Sequence, residues 1–236
     1  MILNRRSLLT LTSSFAALAA TGVWADTTTA PAANATSPAP EAAAPTDATP
    51  IDPATIQDFG IGDPNAKVKI VEYLSFTCPH CEHFHATLYP QLKKDYIDTG
   101  KVRLEYHEVY FDQMGLLGAM LARCGGEMRY FGIVDMLFDK QRDWAAAADM
   151  NAAVDQLKTF ARAAGMTDAD ADKCLHDQKM AEALVAHYQA NIAKDYPNDS
   201  FEGTPSFLVN GVANKDIFAN MSYDDLKKIL DAELAK

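Results

Sequence analysis

The run Ser75-Phe76-Thr77-Cys78-Pro79-His80-Cys81-Glu82-His83-Phe84-His85 constrains this chain more than any other stretch. Before it, Lys67 to Phe76 alternates as a strand, with Val68, Ile70, Glu72, Leu74 and Phe76 on one face and Val71 and Tyr73 on the other. After it, Cys81, Phe84, His85, Leu88, Leu92 and Tyr96 recur at helical spacing, and Pro90 should kink that helix. Pro79 suits a first helical turn, where its missing N–H and fixed φ do no harm. Cys78 therefore falls at the N-cap, where unpaired N–H groups and the positive end of the helix dipole favour a thiolate. His80 adds a donor or a positive charge in the same turn. A thiolate attacks disulfides and a thiol does not, and stabilising it makes the disulfide of the pair a stronger oxidant. Cys81, one turn inward on the face of Phe84 and Leu88, is expected to be the buried, resolving partner.

Apolar residues on both faces of the preceding strand predict a central strand covered on both sides. Glu72 is then an acid on a buried face. Burial raises a carboxyl pKa, so Glu72 can relay a proton for Cys81; the alternative is an acid tolerated at a sheet edge. A different class of function also has donors here. Cys78, Cys81, His83 and His85 are thiolate and imidazole ligands within eight residues, a set suited to zinc or copper(I). Helical geometry opposes that reading, because His83 and Cys81 fall on different faces and no second cysteine pair closes the site. A dithiol reaction needs no cofactor.

The chain continues with a turn at Thr99-Gly100 and a second strand from Val102 to Val109, a β-α-β start that favours a parallel pair. From Gln113 to Tyr196 only helical spacing recurs: Leu116 to Cys124, Tyr130 to Phe138, Ala152 to Ala164, Ala169 to Leu175 and Met180 to Tyr196, broken at Gly125-Gly126, Asp143 and Gly165. Ser206 to Val209 reads as a strand, Asn210-Gly211 as a hairpin turn and Val212 to Phe218 as its return. Ser222 with Asp225 forms a capping box that opens a last helix through Leu234. The outline is an α/β fold, with residues 56–112 and 197–236 around the sheet and 113–196 as a helical insertion.

Residues 1–25 have the layout of an export signal: Arg5 and Arg6, an apolar run from Leu8 to Ala20, and a small-residue site at Val23-Trp24-Ala25. The arginine pair is compatible with the twin-arginine route as well as the general secretory one. An uncleaved membrane anchor is the rival reading, opposed by the shortness of the run. Residues 26–55 form an Ala/Pro/Thr-rich tether that from Asp26 to Pro50 offers no aliphatic side chain larger than alanine, so it is expected to be disordered. The formal charge of −11, or −13 without Arg5 and Arg6, argues against nucleic acid or anionic lipid as a partner. An exported protein can hold disulfides. Cys124 and Cys174 are then expected to bridge and close a loop of about 50 residues, valued at about 4 kcal/mol by chain entropy, the alternative being two buried free thiols. His107, His176 and His187 stand alone in the sequence and are expected at the surface.

The segment Glu72 to Phe84, with Cys-Pro-His-Cys at its centre, resembles the active site of DsbA-type thiol:disulfide oxidoreductases of the thioredoxin superfamily, closest to an alphaproteobacterial-like branch. Gly203-Thr204-Pro205-Ser206-Phe207 is similar to the cis-proline loop of that superfamily, and the resemblance covers residues 59–235. It implies a thioredoxin fold with an inserted helical subdomain, Cys78 as nucleophile, Cys81 as resolving cysteine, His80 as stabiliser of the thiolate and Glu72 as the buried acid. It also implies Thr204 and Pro205 beside the bound substrate, a second disulfide in the insert of some members, folding secreted proteins as substrates in the periplasm, and a membrane quinone-linked reoxidase as partner. Thr204 stands where the best-known oxidases carry valine and is similar to disulfide isomerases, so isomerase or reductase action by the same residues is the alternative. His85 stands where some members carry glutamate; it is either a proton relay or a partly exposed helix histidine.

Overall fold

Residue alternation in the central strand sets the architecture. In the computed structural model, which describes residues 55–236, Val68, Ile70 and Leu74 of strand β2 (Val68–Leu74) pack into the main core. Tyr73 and Val71 pack into a second cluster on the opposite face with Tyr196 and Leu208. Both faces are thus covered, as a strand apolar on both sides requires. The expected export signal at 1–25 and all of the expected tether at 26–55 but its last residue lie outside the described residues.

The sheet among the described residues has the order β1-β3-β2-β4-β5. Strand β3 (Val102–Glu108) runs parallel to β2 in register from Val68 opposite Val102 to Leu74 opposite Glu108. A parallel pair needs a crossover, supplied by helices α1 (Pro79–Thr87) and α2 (Tyr89–Leu92) and a π-helical turn at Lys93–Ile97. The break between α1 and α2 falls just before Pro90, whose missing N–H and ring oppose an unbroken helix. Strand β1 (Phe59–Ile61), which sequence periodicity did not mark, pairs antiparallel with β3 at one edge.

Between β3 and β4 (Ser206–Val209) lie six helices: α3 (Gln113–Cys124), α4 (Glu127–Asp139), α5 (Gln141–Trp144), α6 (Met150–Ala163), α7 (Asp168–Leu175) and α8 (Gln178–Asp195). Asp112, Asp149, Thr167 and Asp177 cap α3, α6, α7 and α8 with their side chains, which explains why these helices start where they do. Tyr188 and Ile192 of α8 pack on the second face of the sheet. Strand β4 pairs antiparallel with β2, and Asn210 and Gly211, at φ of 51° and 81°, turn the chain into β5 (Val212–Asn214). The return strand was expected to reach Phe218. It stops at Asn214 because that side chain accepts the N–H groups of Asp216 and Ile217 and so folds the backbone out of the ladder. Helix α9 (Tyr223–Ala235) closes the fold, with Ser222 as its N-cap. Among the described residues no helix is long and apolar enough to cross a membrane.

Candidate active site

Strand β2 ends at Leu74, and a short loop carries the chain to Cys78, the N-cap of α1 in extended conformation (φ −80°, ψ 120°) with Pro79 directly after it. The Cys78 N–H donates to the Ser75 carbonyl at 3.1 Å, and its own carbonyl accepts the Glu82 N–H at 3.1 Å. The sulfur is partly exposed, whereas Cys81 is fully buried, and both are reduced. That asymmetry is the one expected from their places in the first turn.

The surroundings of the two sulfurs drive their proton affinities apart. The Cys81 thiol, hydrogen-bonded to Cys78, is the largest influence on Cys78; partial burial opposes it, and the Thr204 side chain and the N–H groups of Cys81 and His80 add to it. Together they bring the Cys78 thiol down to about 5. Burial pushes the Cys81 thiol well above the ordinary thiol range, reinforced by its hydrogen bond to Cys78 and by the charges of Glu72 and Cys78. His80 reaches the sulfur through its backbone N–H, while its imidazole is exposed.

Glu72 sits in the middle of the central strand, 2 % exposed, between Tyr106 of β3 and Phe207 of β4 in register. It is therefore not an edge residue. Burial, with the Cys78 charge adding, raises its carboxyl well above the usual range. Opposite α1, the Thr204–Pro205 peptide bond is cis, and the Cys78 thiol donates to the Thr204 carbonyl at 3.2 Å. Thr204 Oγ1 is buried with no other partner among the described residues, so its hydroxyl is positioned to donate to a thiolate at Cys78. Gly203, Thr204 and Pro205 line a groove of about 270 Å³ that continues past Tyr196 and the exposed Phe218.

The four donors considered for a metal do not converge. His83 is exposed, His85 is buried with Nε2 3.0 Å from Asp135, and among the described residues no group of three or more His, Cys, Asp or Glu side chains could hold a metal ion. His85 also stacks on Tyr89, so it is buried rather than partly exposed. The expectation for the isolated histidines needs correction at two of three positions. His107 is buried, with Nε2 3.2 Å from Asp58, and the half-buried His187 approaches the same carboxylate at 2.8 Å. Asp58 lies far from both in sequence, and only the fold brings the three together. His176 is exposed as expected.

Cys124 and Cys174 are joined in a disulfide with Cα atoms 6.0 Å apart, linking α3 to α7 away from the reduced pair. Sequence reading missed two supports of the Cys78 loop. Thr77 donates to Asp112 at 2.6 Å, tying the loop to the N-cap of α3; an Asp before a helical run is a legible cap, although its contact with Thr77 is not. Gln141 of α5, 6 % exposed, donates to the carbonyls of Phe76 and Cys78, both at 2.9 Å. No local pattern marks that glutamine, which sits where helical periodicity lapses.

Comparison with known proteins agrees with this geometry. The family model described as Thioredoxin matches residues 54–232. A protein from Rickettsia bellii, provisionally named a protein-disulfide oxidoreductase, is 36% identical over 164 residues, covering 69% of this chain and 61% of that protein. The chain thus spans about three fifths of the length of that rickettsial relative. Disulfide bond formation protein D of Bacillus subtilis is 26% identical over 185 residues, covering 74% of this chain and 76% of that protein. Among solved structures, Wolbachia pipientis alpha-DsbA1 superposes with a TM-score of 0.65 at 26% identity, covering 75% of this chain and 91% of that one.

Proposed function

Because the chain belongs to the thioredoxin family, and within it to relatives named for disulfide chemistry, we propose that it is an exported thiol:disulfide oxidoreductase that donates a Cys78–Cys81 disulfide to folding secreted proteins. One observation carries the reading: at the open end of α1, hydrogen bonds from Cys81, Thr204 and two N–H groups hold the Cys78 thiol down to about 5 while its partner is pushed up. A dithiol so arranged favours its reduced form, and its disulfide is correspondingly oxidising.

In the reaction, a substrate thiolate attacks Cys78 Sγ, a mixed disulfide forms, and the bond to Cys81 breaks. The Cys81 sulfur leaves into a buried site where its anion is costly, and the buried carboxyl of Glu72, whose proton affinity burial raises, would supply its proton. A second substrate thiolate then attacks the substrate sulfur of the mixed disulfide, and Cys78 leaves as a stabilised thiolate. Two electrons have passed from the substrate dithiol to the enzyme. Thr204 and Pro205 would hold the substrate by backbone pairing along the adjoining groove, and His80 would add positive charge near Cys78 when protonated.

The site is supported by a thioredoxin-fold part at 56–112 and 197–236 and a helical insertion at 113–196. Residues 1–25 as an export signal and 26–55 as a tether would place the enzyme in the periplasm, where a membrane quinone-linked protein would reoxidise it. Isomerase action is the second reading, favoured by Thr204 against Cys78. Refolding assays separate the two. The oxidised protein should reactivate a reduced, unfolded substrate stoichiometrically and a scrambled one slowly. A reduced substrate that stays reduced overturns the proposal, and faster recovery of the scrambled one favours the isomerase.

A further inference from the structure

The helical insertion holds the active-site loop by hydrogen bonds from the side chain of Gln141. Gln141 Nε2 carries two N–H bonds, and they go to the carbonyls of Phe76 and Cys78, each at 2.9 Å. These carbonyls lie on either side of the loop that delivers the sulfur, and that of Cys78 also accepts the Glu82 N–H that starts α1. Gln141 is 6 % exposed and Phe76 1 %, so water is no ready substitute for the amide. Helix α5, which carries Gln141, is itself anchored: Trp144 is fully buried and its Nε1 donates to the Leu137 carbonyl at 2.8 Å. The clamp therefore joins a fixed part of the insert to the backbone of the reactive cysteine.

We propose that Gln141 is a positioning residue for thiol exchange: by holding the carbonyls of Phe76 and Cys78 it fixes the reactive sulfur against the N–H groups at the open end of α1. This rests on the functional reading above and adds the insert to the machinery that sets the reactivity of Cys78. Two consequences follow from the geometry. The N–H groups of His80 and Cys81 act on the sulfur only while aimed at it, because hydrogen bonds weaken steeply with angle. In addition, the amide N–H groups offset two carbonyl dipoles beside the place where negative charge resides. Removing the clamp should destabilise the thiolate as well as the fold.

The test is titration of the Cys78 thiolate in the full-length reduced protein, by thiolate absorbance, for the parent, Gln141→Leu and Gln141→Asn. Leucine matches glutamine in bulk and lacks donors; asparagine is one methylene shorter, spans the two carbonyls poorly and keeps the variant polar should the leucine fail to fold. Both leave Glu72, Cys81 and His80, the titratable groups assigned to act on Cys78, in place. The expected result is a midpoint higher than the parent's by on the order of one pH unit, which is roughly tenfold less thiolate at acidic pH. Arg123→Met, which breaks a buried ion pair with Glu108 and removes no group that acts on the Cys78 sulfur, should lower thermal stability and leave the midpoint unchanged. If both Gln141 variants lose stability yet titrate like the parent, Gln141 is merely structural and the proposal is wrong. The readout is a difference from the parent, so it is distinguishable from failure of the oxidase reading, which an ordinary thiol value in the parent itself would signal.

Discussion

At the scale of single residues, Cys78 and Glu72 give opposite dependences on pH. The Cys78 thiol is lowered on folding to about 5, so its contribution to the stability of the reduced form is fully present above the ordinary thiol range near pH 9 and is lost as pH falls through 5. The partly exposed sulfur is screened, which makes the effect modest. Denaturation of the reduced parent and of Cys78→Ser across that window should show an advantage for the parent at pH 8 that vanishes by pH 4; a constant difference contradicts it. Glu72 runs the other way. Its carboxyl is raised on folding, so the unfolded chain ionises first and the folded state loses ground as pH rises past the ordinary carboxyl range. Glu72→Gln should therefore be more stable than the parent at pH 7, with the gap closing by pH 3.5, and should slow disulfide transfer because Cys81 loses its proton donor. Unchanged stability at both pH values would deny Glu72 a buried, shifted carboxyl. Glu72, Cys78 and Cys81 were legible in the sequence because alternation and spacing place them. His107 and His187 were not, since their shared partner Asp58 lies on a distant segment.

At the scale of elements, the end of β3 is tied to the insertion by a buried ionic cluster. Glu108 accepts from Arg123 of α3 at 2.7 Å, from Tyr130 of α4 at 2.5 Å and from Tyr110 at 2.9 Å, and Arg123 also donates to the Gln57 carbonyl at 2.7 Å. Breaking one side of such a pair strands the other charge. Arg123→Leu should cost about 3–5 kcal/mol of unfolding free energy, and the double variant with Glu108→Leu distinctly less. Chemical denaturation of both decides it, and equal losses would show that the pair is not coupled. Packing sets a second condition. A Cβ on Gly118 of α3 would meet the Trp144 ring at 2.9 Å, so Gly118→Ala should cost about 1–3 kcal/mol. The long helices of the insertion follow from apolar spacing, and β2, β3 and β4 from alternation. The short elements β1 and α5 span three and four residues, too few to show a period, and exist because tertiary contacts hold them. The end of β5 was misplaced because the turn made by Asn214 outweighs the apolar residues that follow.

At the scale of the whole molecule, the Cys124–Cys174 bridge spans 50 residues of the insertion. Loop-closure entropy assigns such a link about 4 kcal/mol. Replacing both cysteines by alanine should lower stability by roughly that amount under oxidising conditions while leaving thiolate formation at Cys78 intact, since the bridge is remote from it. The order of elements, strand-helix-strand followed by an insertion and a closing hairpin with a helix, was readable from the changes in period along the chain. The meeting of Cys78 with Thr204 was expected only from the family resemblance, and that with Gln141 was not legible at all, because the two lie 63 residues apart and no local pattern records the contact. The account of function depends on that convergence, which makes the reduced pair the favoured state. Equilibration of the Cys78–Cys81 pair with a glutathione buffer measures this directly. The predicted potential lies well above the thioredoxin value of about −270 mV, toward the roughly −120 mV of strong dithiol oxidants. A value at or below about −270 mV would contradict the assignment of the chain as a disulfide donor.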